Sequence, residues 1–265
     1  MIGLDLGLWR GQAASIAYDT DAATFFSAAG ISDTTQKSAV NQLVLDLKSA
    51  SIWTKMLALY PFVGGTATTH KYNLKDPRDL DAAFRVVWAG GVTHSSDGVT
   101  GNGSNGYGDT KLTPSVSQSL NDAHLSIYNR TNAVSNYDIG ARSATPTTFA
   151  QIGFTTNGVW YTINQGNEPT TTIARYDGLF IASRTASNII RGFQNSTRLS
   201  NLTNASSALP TSPHFLLARS ISGSAAGYSS HNLAFASIGA GLSDAEAGNF
   251  YTAVMAFQTT LGRNV

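Results

Sequence analysis

The sequence predicts a mainly β protein: a sandwich of two sheets with a helical segment before it and one helix after it. Three observations carry that expectation. From residue 63 onward, short apolar runs alternate with Gly/Ser/Thr/Asn turns about every 8–12 residues, the spacing of short antiparallel strands. Residues 31–62 instead carry apolar residues at helical intervals. The last residues, 241–265, return to a helical pattern that opens on a capping box.

The elements follow in order. Phe25 and Phe26 before Gly30 close a short helix. Asp33 with Gln36 caps a second, and Ala39, Val40, Leu43, Val44 and Leu47 form its apolar stripe. Trp53, Met56, Leu57 and Tyr60 extend that stripe, and Pro61 stops it, so a helical segment is expected up to residue 60. Strands are expected at 82–90, 123–130, 135–142, 148–154, 158–164, 171–176, 178–184, 188–194, 197–203, 213–219 and 231–239. Asn157-Gly158 makes a hairpin turn between two of them. Ser243 and Glu246 cap a helix over 244–260, with Phe250, Val254 and Phe257 on one face and Gly262 at its end. The expected division is an N-terminal arm and helical segment over 1–65, for anchoring or assembly, and a β-sandwich over 66–265.

Composition narrows the function. The 265 residues carry a net charge of +1, and only 12% are charged, about half the usual share. Neutral polar groups must therefore wet the surface, which suits a particle or a secreted face more than a cytosolic enzyme. There is no cysteine, which excludes disulfides and thiolate metal sites. Balanced charge argues against a nucleic-acid partner. The start, MIGLDLGLWRGQ, lacks a signal peptide's pattern, and no apolar run reaches the ~18–20 residues that span a bilayer.

Residues 101–106, GNGSNG, match the G-x-G-x-x-G spacing of a dinucleotide loop. The context does not fit. A polar stretch precedes it instead of a buried strand, and a glycine and a proline follow where a helix should begin. The expectation is a pair of short strands with tight turns, Asn105-Gly106 supplying a positive φ.

Three stretches are similar to the concanavalin A-like lectin/glucanase jelly roll, related to laminin-G-like domains, in the form found in bacteriophage virion proteins. They are HSSDGVTGNGSNGYGDTKLTPS (94–115), FIASRTASNIIRGFQNSTRL (180–199) and FLLARSISGSAAGYSSHNLAFASIGAGLSDAEAGNFYTAVMAFQTTLGR (215–263). Residues 33–65 and NLKDPRDLDAAF (73–84) resemble the helical lead-in of such proteins. The resemblance implies a virion structural protein that displays a lectin-like sandwich for adhesion, glycan binding, or capsid or tail decoration. It implies other virion proteins as partners, a host-surface glycan as ligand, a homo-oligomer such as a trimer or ring, and a place on the particle. A purely architectural subunit that binds only other virion proteins is an alternative.

Candidate ligand contacts follow from residue type. Lectin sites set an aromatic face against a sugar, with polar side chains around it. Trp160 and Tyr161 are adjacent in a strand and point to opposite faces, so one faces away from the core. Tyr107, Tyr137 and Tyr228 lie in or beside turns. Arg130, Arg142, Arg184 and Arg219 each end an apolar run, either as ordinary strand boundaries or as a rim of donors at one end of the sandwich. His94, Asp97 and Asp109 are the candidate metal ligands, with calcium the candidate ion and no other cofactor expected. A glycoside hydrolase of the same fold is another alternative. It needs two facing carboxylates, and the chain has two glutamates, Glu168 and Glu246, neither in a strand-like run. No catalytic residue is expected.

Overall fold

The computed structural model describes residues 17–265. The first 16 residues of the expected N-terminal arm lie outside that range. Five helices are described: α1 (Thr20–Ala29), α2 (Thr34–Ser49), α3 (Ala67–His70), α4 (Pro114–Ser117) and α5 (Asp244–Thr260). The first strands are β1 (Met56–Tyr60), β2 (Val87–Ala89), β3 (Thr93–Ser95), β4 (Gly98–Thr100), β5 (Tyr107–Asp109) and β6 (Ala123–Asn129). Next come β7 (Tyr137–Ala144), β8 (Thr147–Thr155), β9 (Gly158–Gln165), β10 (Thr170–Thr171), β11 (Gly178–Ala186) and β12 (Ile189–Gln194). The last are β13 (Thr197–Leu202), β14 (Phe215–Leu216), β15 (Arg219–Ile221), β16 (Ser224–Ala226) and β17 (Asn232–Gly239).

They form the expected β-sandwich. One sheet has eight strands in the order β13-β12-β11-β6-β17-β4-β3, with β1 also paired to β17. The other has nine, in the order β10-β9-β8-β7-β14-β5-β2, with β15 beside β7 and β16 beside β15. All pairings are antiparallel except β15 with β7.

Strand β6 shows how the layers arise. All seven of its residues are buried, because it is covered on both faces. Ala123, Leu125 and Ile127 face the second sheet, where they meet Ile139, Ile152 and Tyr161. Its alternate residues face the helices: Tyr128 shares a core with Phe250 and Phe257 of α5 and with Leu43 and Leu47 of α2. The molecule therefore has three layers, helices on sheet on sheet, with two apolar cores. Each large apolar side chain fully buried there contributes about 1.5–3 kcal/mol. The outward face of the nine-stranded sheet has no helical layer over it among the described residues.

The N-terminal segment departs from expectation in one place. The helix ends at Ser49 rather than near residue 60. Ser51 adopts φ +60°, Trp53–Lys55 make one 3-10 turn, and MLALY becomes β1. Pairing with β17, Tyr60 opposite Ala236, captures this apolar pentapeptide for the sheet and overrides its helical spacing. Met56 and Leu59 then pack under the helices, while Ala58 and Tyr60 join the core between the sheets. Residues before 66 thus share both cores with the sandwich.

GNGSNG is turn-rich but is a loop rather than the expected pair of short strands, and it does not join paired strands. β4 and β5 on either side of it belong to different sheets. The positive φ falls on Gly103, at 70°, and not on Asn105-Gly106. Asn102 organises the turn: its Oδ1 accepts from the N–H groups of Ser104, Asn105 and Gly106, each at 3.0 Å. The expected strand at 82–90 is reduced to β2, because Asp81–Ala83 form a 3-10 turn and Phe84 adopts φ +60°.

Candidate functional site: an aromatic and arginine platform

The outward face of the nine-stranded sheet gathers residues from β7, β8, β9 and β15. Along β8, Ala150, Ile152 and Phe154 point into the core, so Phe149, Gln151 and Gly153 point out. On β9, Tyr161 and Ile163 point in and Trp160 points out.

Glycines make the floor. A Cβ on Gly153 would stand 2.4 Å from Cδ1 of Tyr137 and 3.1 Å from Cε3 of Trp160. A Cβ on Gly227 would stand 2.5 Å from Cδ2 of Tyr137. The Tyr137 ring therefore lies in a slot only glycine can leave open, and it stacks on Trp160 with centroids 5.4 Å apart and planes 20° from parallel. A Cβ on Gly140 would stand 2.7 Å from Cβ of Gln151, and at an ordinary contact distance of 3.5 Å from Cγ of Arg219.

Arg219 crosses β7 over Gly140 and ends above Tyr137, its guanidinium carbon 4.0 Å from the ring centroid. The same carbon lies 5.8 Å from Phe149, and that of Arg142 lies 5.2 Å from the same ring. The result is a ladder, Trp160–Tyr137–Arg219–Phe149–Arg142, in which rings and guanidinium groups alternate by stacking and cation–π attraction. Nη1 of Arg219 donates to Glu168 at 2.9 Å and to Gln151 at 3.1 Å. Gln151 donates to the same Glu168 oxygen. Burial pushes the Tyr137 hydroxyl above its ordinary pKa, so it stays protonated at neutral pH. A second aromatic group sits on the same sheet: Tyr107 stacks on Phe215 at 4.8 Å, with Tyr228 at 6.4 Å.

Trp160, Tyr137, Tyr107, Arg142 and Arg219 are thus brought to one sheet. The other candidates are not. Tyr161 is fully buried between the sheets and its hydroxyl donates to the Phe193 carbonyl, so it is a core residue. Arg184 is fully buried and donates to the carbonyls of Ile163, Ala186, Ser187 and Asn204. Arg130 pairs with Asp97 at 3.1 Å and donates to the Arg263 carbonyl, near the end of the chain. The four arginines therefore form no single rim, because burial takes Arg184 and a local carboxylate takes Arg130. Phe149, Gln151 and Glu168 are contacts that sequence reasoning missed. The signal for the first two was the alternation FAQIGF, in which outward positions hold Phe, Gln and Gly.

The three candidate metal ligands are not assembled either. Asp97 is engaged by Arg130 and Asp109 by Lys111. His94 meets His70, Nδ1 to Nδ1 at 3.1 Å. Nε2 of His70 accepts from the Gly65 N–H, so its proton is on Nδ1 and is donated to His94. Burial lowers the pKa of His70 to about 3. Among the described residues no cluster of three or more His, Asp or Glu side chains could hold a metal ion.

The two glutamates, and the strand acid Asp138, are each held. Glu168 binds Arg219; Glu246 closes the α5 capping box and binds Lys55. Asp138 is fully buried, accepts from Ser229 at 2.6 Å and lies 2.9 Å from Nδ1 of His231. The Ser229 hydroxyl donates to the aspartate and accepts from the His231 backbone N–H but does not meet the imidazole, whose Nε2 meets the Ala133 carbonyl, so this Ser-Asp-His group has no nucleophile–base contact.

No family model and no curated protein matches the chain. Solved structures match it in fold. A mutant of Trypanosoma rangeli sialidase displaying trans-sialidase activity aligns at TM-score 0.54 and 9% identity, over 82% of this chain and 39% of its own. The binding domain of Paraclostridial Mosquitocidal Protein 1 aligns at TM-score 0.50 and 9% identity, over 77% of this chain and 53% of its own. The chain therefore spans about half or less of these proteins, and at such identities the likeness establishes the β-sandwich fold. Among the described residues no helix is long and apolar enough to cross a membrane.

Proposed function

We propose that this protein is a non-catalytic, lectin-like binding module, displayed on a bacteriophage particle, that takes a glycan on the outward face of its nine-stranded sheet. The observation that carries the reading is the platform itself. Glycines at 153 and 227 hold open a floor on which Tyr137 lies stacked between Trp160 and Arg219, a costly arrangement for a surface with no ligand. Stacked aromatic faces suit the C–H faces of sugar rings, and Gln151, Glu168 and the two arginines supply hydrogen bonds beside them. The fold likeness to a toxin's binding domain and to a sialidase is consistent with a glycan partner.

The virion setting rests on the sequence resemblance and on the uncharged, polar composition. In that setting the partners are other virion proteins and further copies of this chain in a trimer or ring. No cofactor is assigned. Engagement of Glu168, Glu246 and Asp138 by basic or capping partners favours binding over hydrolysis.

The test is a glycan array and whole bacterial cells probed with the full chain, with and without calcium, alongside Trp160→Ala. Saturable binding that one glycan competes away, weakened about tenfold by loss of one stacking ring, is the expected result. A folded protein that binds nothing, or whose Trp160→Ala variant binds equally well, would overturn the reading in favour of an architectural subunit. Cleavage of an array polysaccharide would favour the hydrolase.

A further inference from the structure

Ten arginines lie among the described residues, and nine of them are spent. Seven hold a carboxylate within salt-bridge distance. Arg184 and Arg263 are buried and donate to backbone carbonyls. Arg142 is the exception: it has no carboxylate and no side-chain hydrogen bond to any described residue, and its buried Nε lacks an acceptor. It is also held in place. Arg142 stands directly opposite Phe149 in the β7–β8 register, and its guanidinium lies over that ring. A planar fork of five donors, oriented by a ring and left without an acceptor, matches a planar carboxylate.

Its neighbour explains why the charge stays available. Glu168, the acid of this platform, is occupied by Arg219 and Gln151. Arg219 is 8% exposed, and its own Nε also lacks an acceptor, so the guanidinium pair carries more donors than the described residues supply acceptors for. From Tyr137 to Arg142 the strand runs for about 17 Å, enough for an oligosaccharide stacked at one end to reach the arginine at the other.

Resting on the platform reading above, we infer that the glycan is acidic and that Arg142 takes the carboxylate of one of its sugars. A neutral sugar would gain the stacking of Trp160 and Tyr137 and leave the Arg142 donors unmet. A uronic acid or another carboxylated sugar gains both, through charge-assisted hydrogen bonds in a partly buried setting. Trp160 and Tyr137 then set affinity for sugars in general, and Arg142 sets selectivity for the charged ones.

The experiment is an array of carboxylated glycans, their methyl esters, sulfated glycans and neutral glycans. It is probed with the wild-type chain, Arg142→Gln, Arg142→Lys and Trp160→Ala, each checked for folding by circular dichroism. The expected result is binding confined to carboxylated glycans and lost on esterification. Arg142→Gln should weaken it tenfold or more, and Arg142→Lys should recover only part, since an ammonium keeps the charge and loses the fork. Equal binding to the esters, or an Arg142→Gln variant that binds as wild type while Trp160→Ala does not, would overturn the acidic-ligand inference and leave the platform standing. Binding confined to sulfated glycans would also overturn it. Absence of binding across the whole array would overturn both.

Discussion

Replacing Arg184 with methionine should cost about 3–5 kcal/mol of stability. The side chain is fully buried, and burial lowers its pKa to about 10, yet it remains charged at pH 7. It makes five hydrogen bonds to four carbonyls: Ile163 at 2.7 Å, Ser187 at 2.6 Å, and Ala186 and Asn204 at 3.2 Å, the last one twice. Hydrogen bonds to a charged group contribute about 1.5–3 kcal/mol each, so four acceptors would gain about 6–12 kcal/mol in isolation. Burying an unpaired guanidinium costs several kcal/mol of that. Methionine fills much of the volume and removes the burial cost, but it leaves the carbonyls of β9 and the 186–204 loops without donors. Urea unfolding followed by tryptophan fluorescence at pH 7 measures the difference as a drop in midpoint at constant slope. A loss under about 1 kcal/mol would refute the reasoning, since it would mean that water or backbone rearrangement satisfies those carbonyls.

Three further outcomes are expected. Gly153→Ala places a Cβ 2.4 Å from the Tyr137 ring, so it should weaken glycan binding tenfold or more without deleting any contact side chain; circular dichroism and the array together check it. Stability should fall as pH drops from about 6.5 toward 4: burial lowers the pKa of His124 to about 4 and of His70 and His214 to about 3, so in that window the unfolded chain binds protons that the folded chain refuses. A thermal midpoint at pH 5 equal to that at pH 7 would contradict this. His231 works the other way: burial opposes its charge, but Asp138 outweighs it and raises the pKa, so its contribution is full below about 6.5 and fades as pH rises through the folded value. Asp138→Asn should therefore cost about 3 kcal/mol at pH 6 and less at pH 8, read from urea midpoints at the two pH values.

Much of the fold was legible because alternation is local. Most strands from 123 to 202 were located within a few residues, since each is a period-two run bounded by turn residues, but the one expected at 171–176 shrinks to Thr170–Thr171. MLALY was misread because a pentapeptide of that composition fits a helix or a strand, and its partner, β17, lies far along the chain. The site was legible only in part for the same reason. Adjacent Trp160 and Tyr161 had to face opposite ways, and the structure decides which one is outward. That Arg184 would be buried and Arg142 left without a partner among the described residues depends on which loops close over each strand end, which no local spacing encodes. Gly153 reads as an ordinary strand glycine until the rings lying over it are known.

The pairing of β1 with β17, together with α2 packed beside α5, has a consequence for synthesis. Tyr60 leaves the ribosome about 170 residues before Asn232, a delay of roughly 10–30 s at ordinary elongation rates. During that interval α1, α2 and β1 lack the β17 and α5 surfaces that complete their core. Ribosomes stalled before residue 232 would hold a chain that is prone to aggregate, however complete its middle strands.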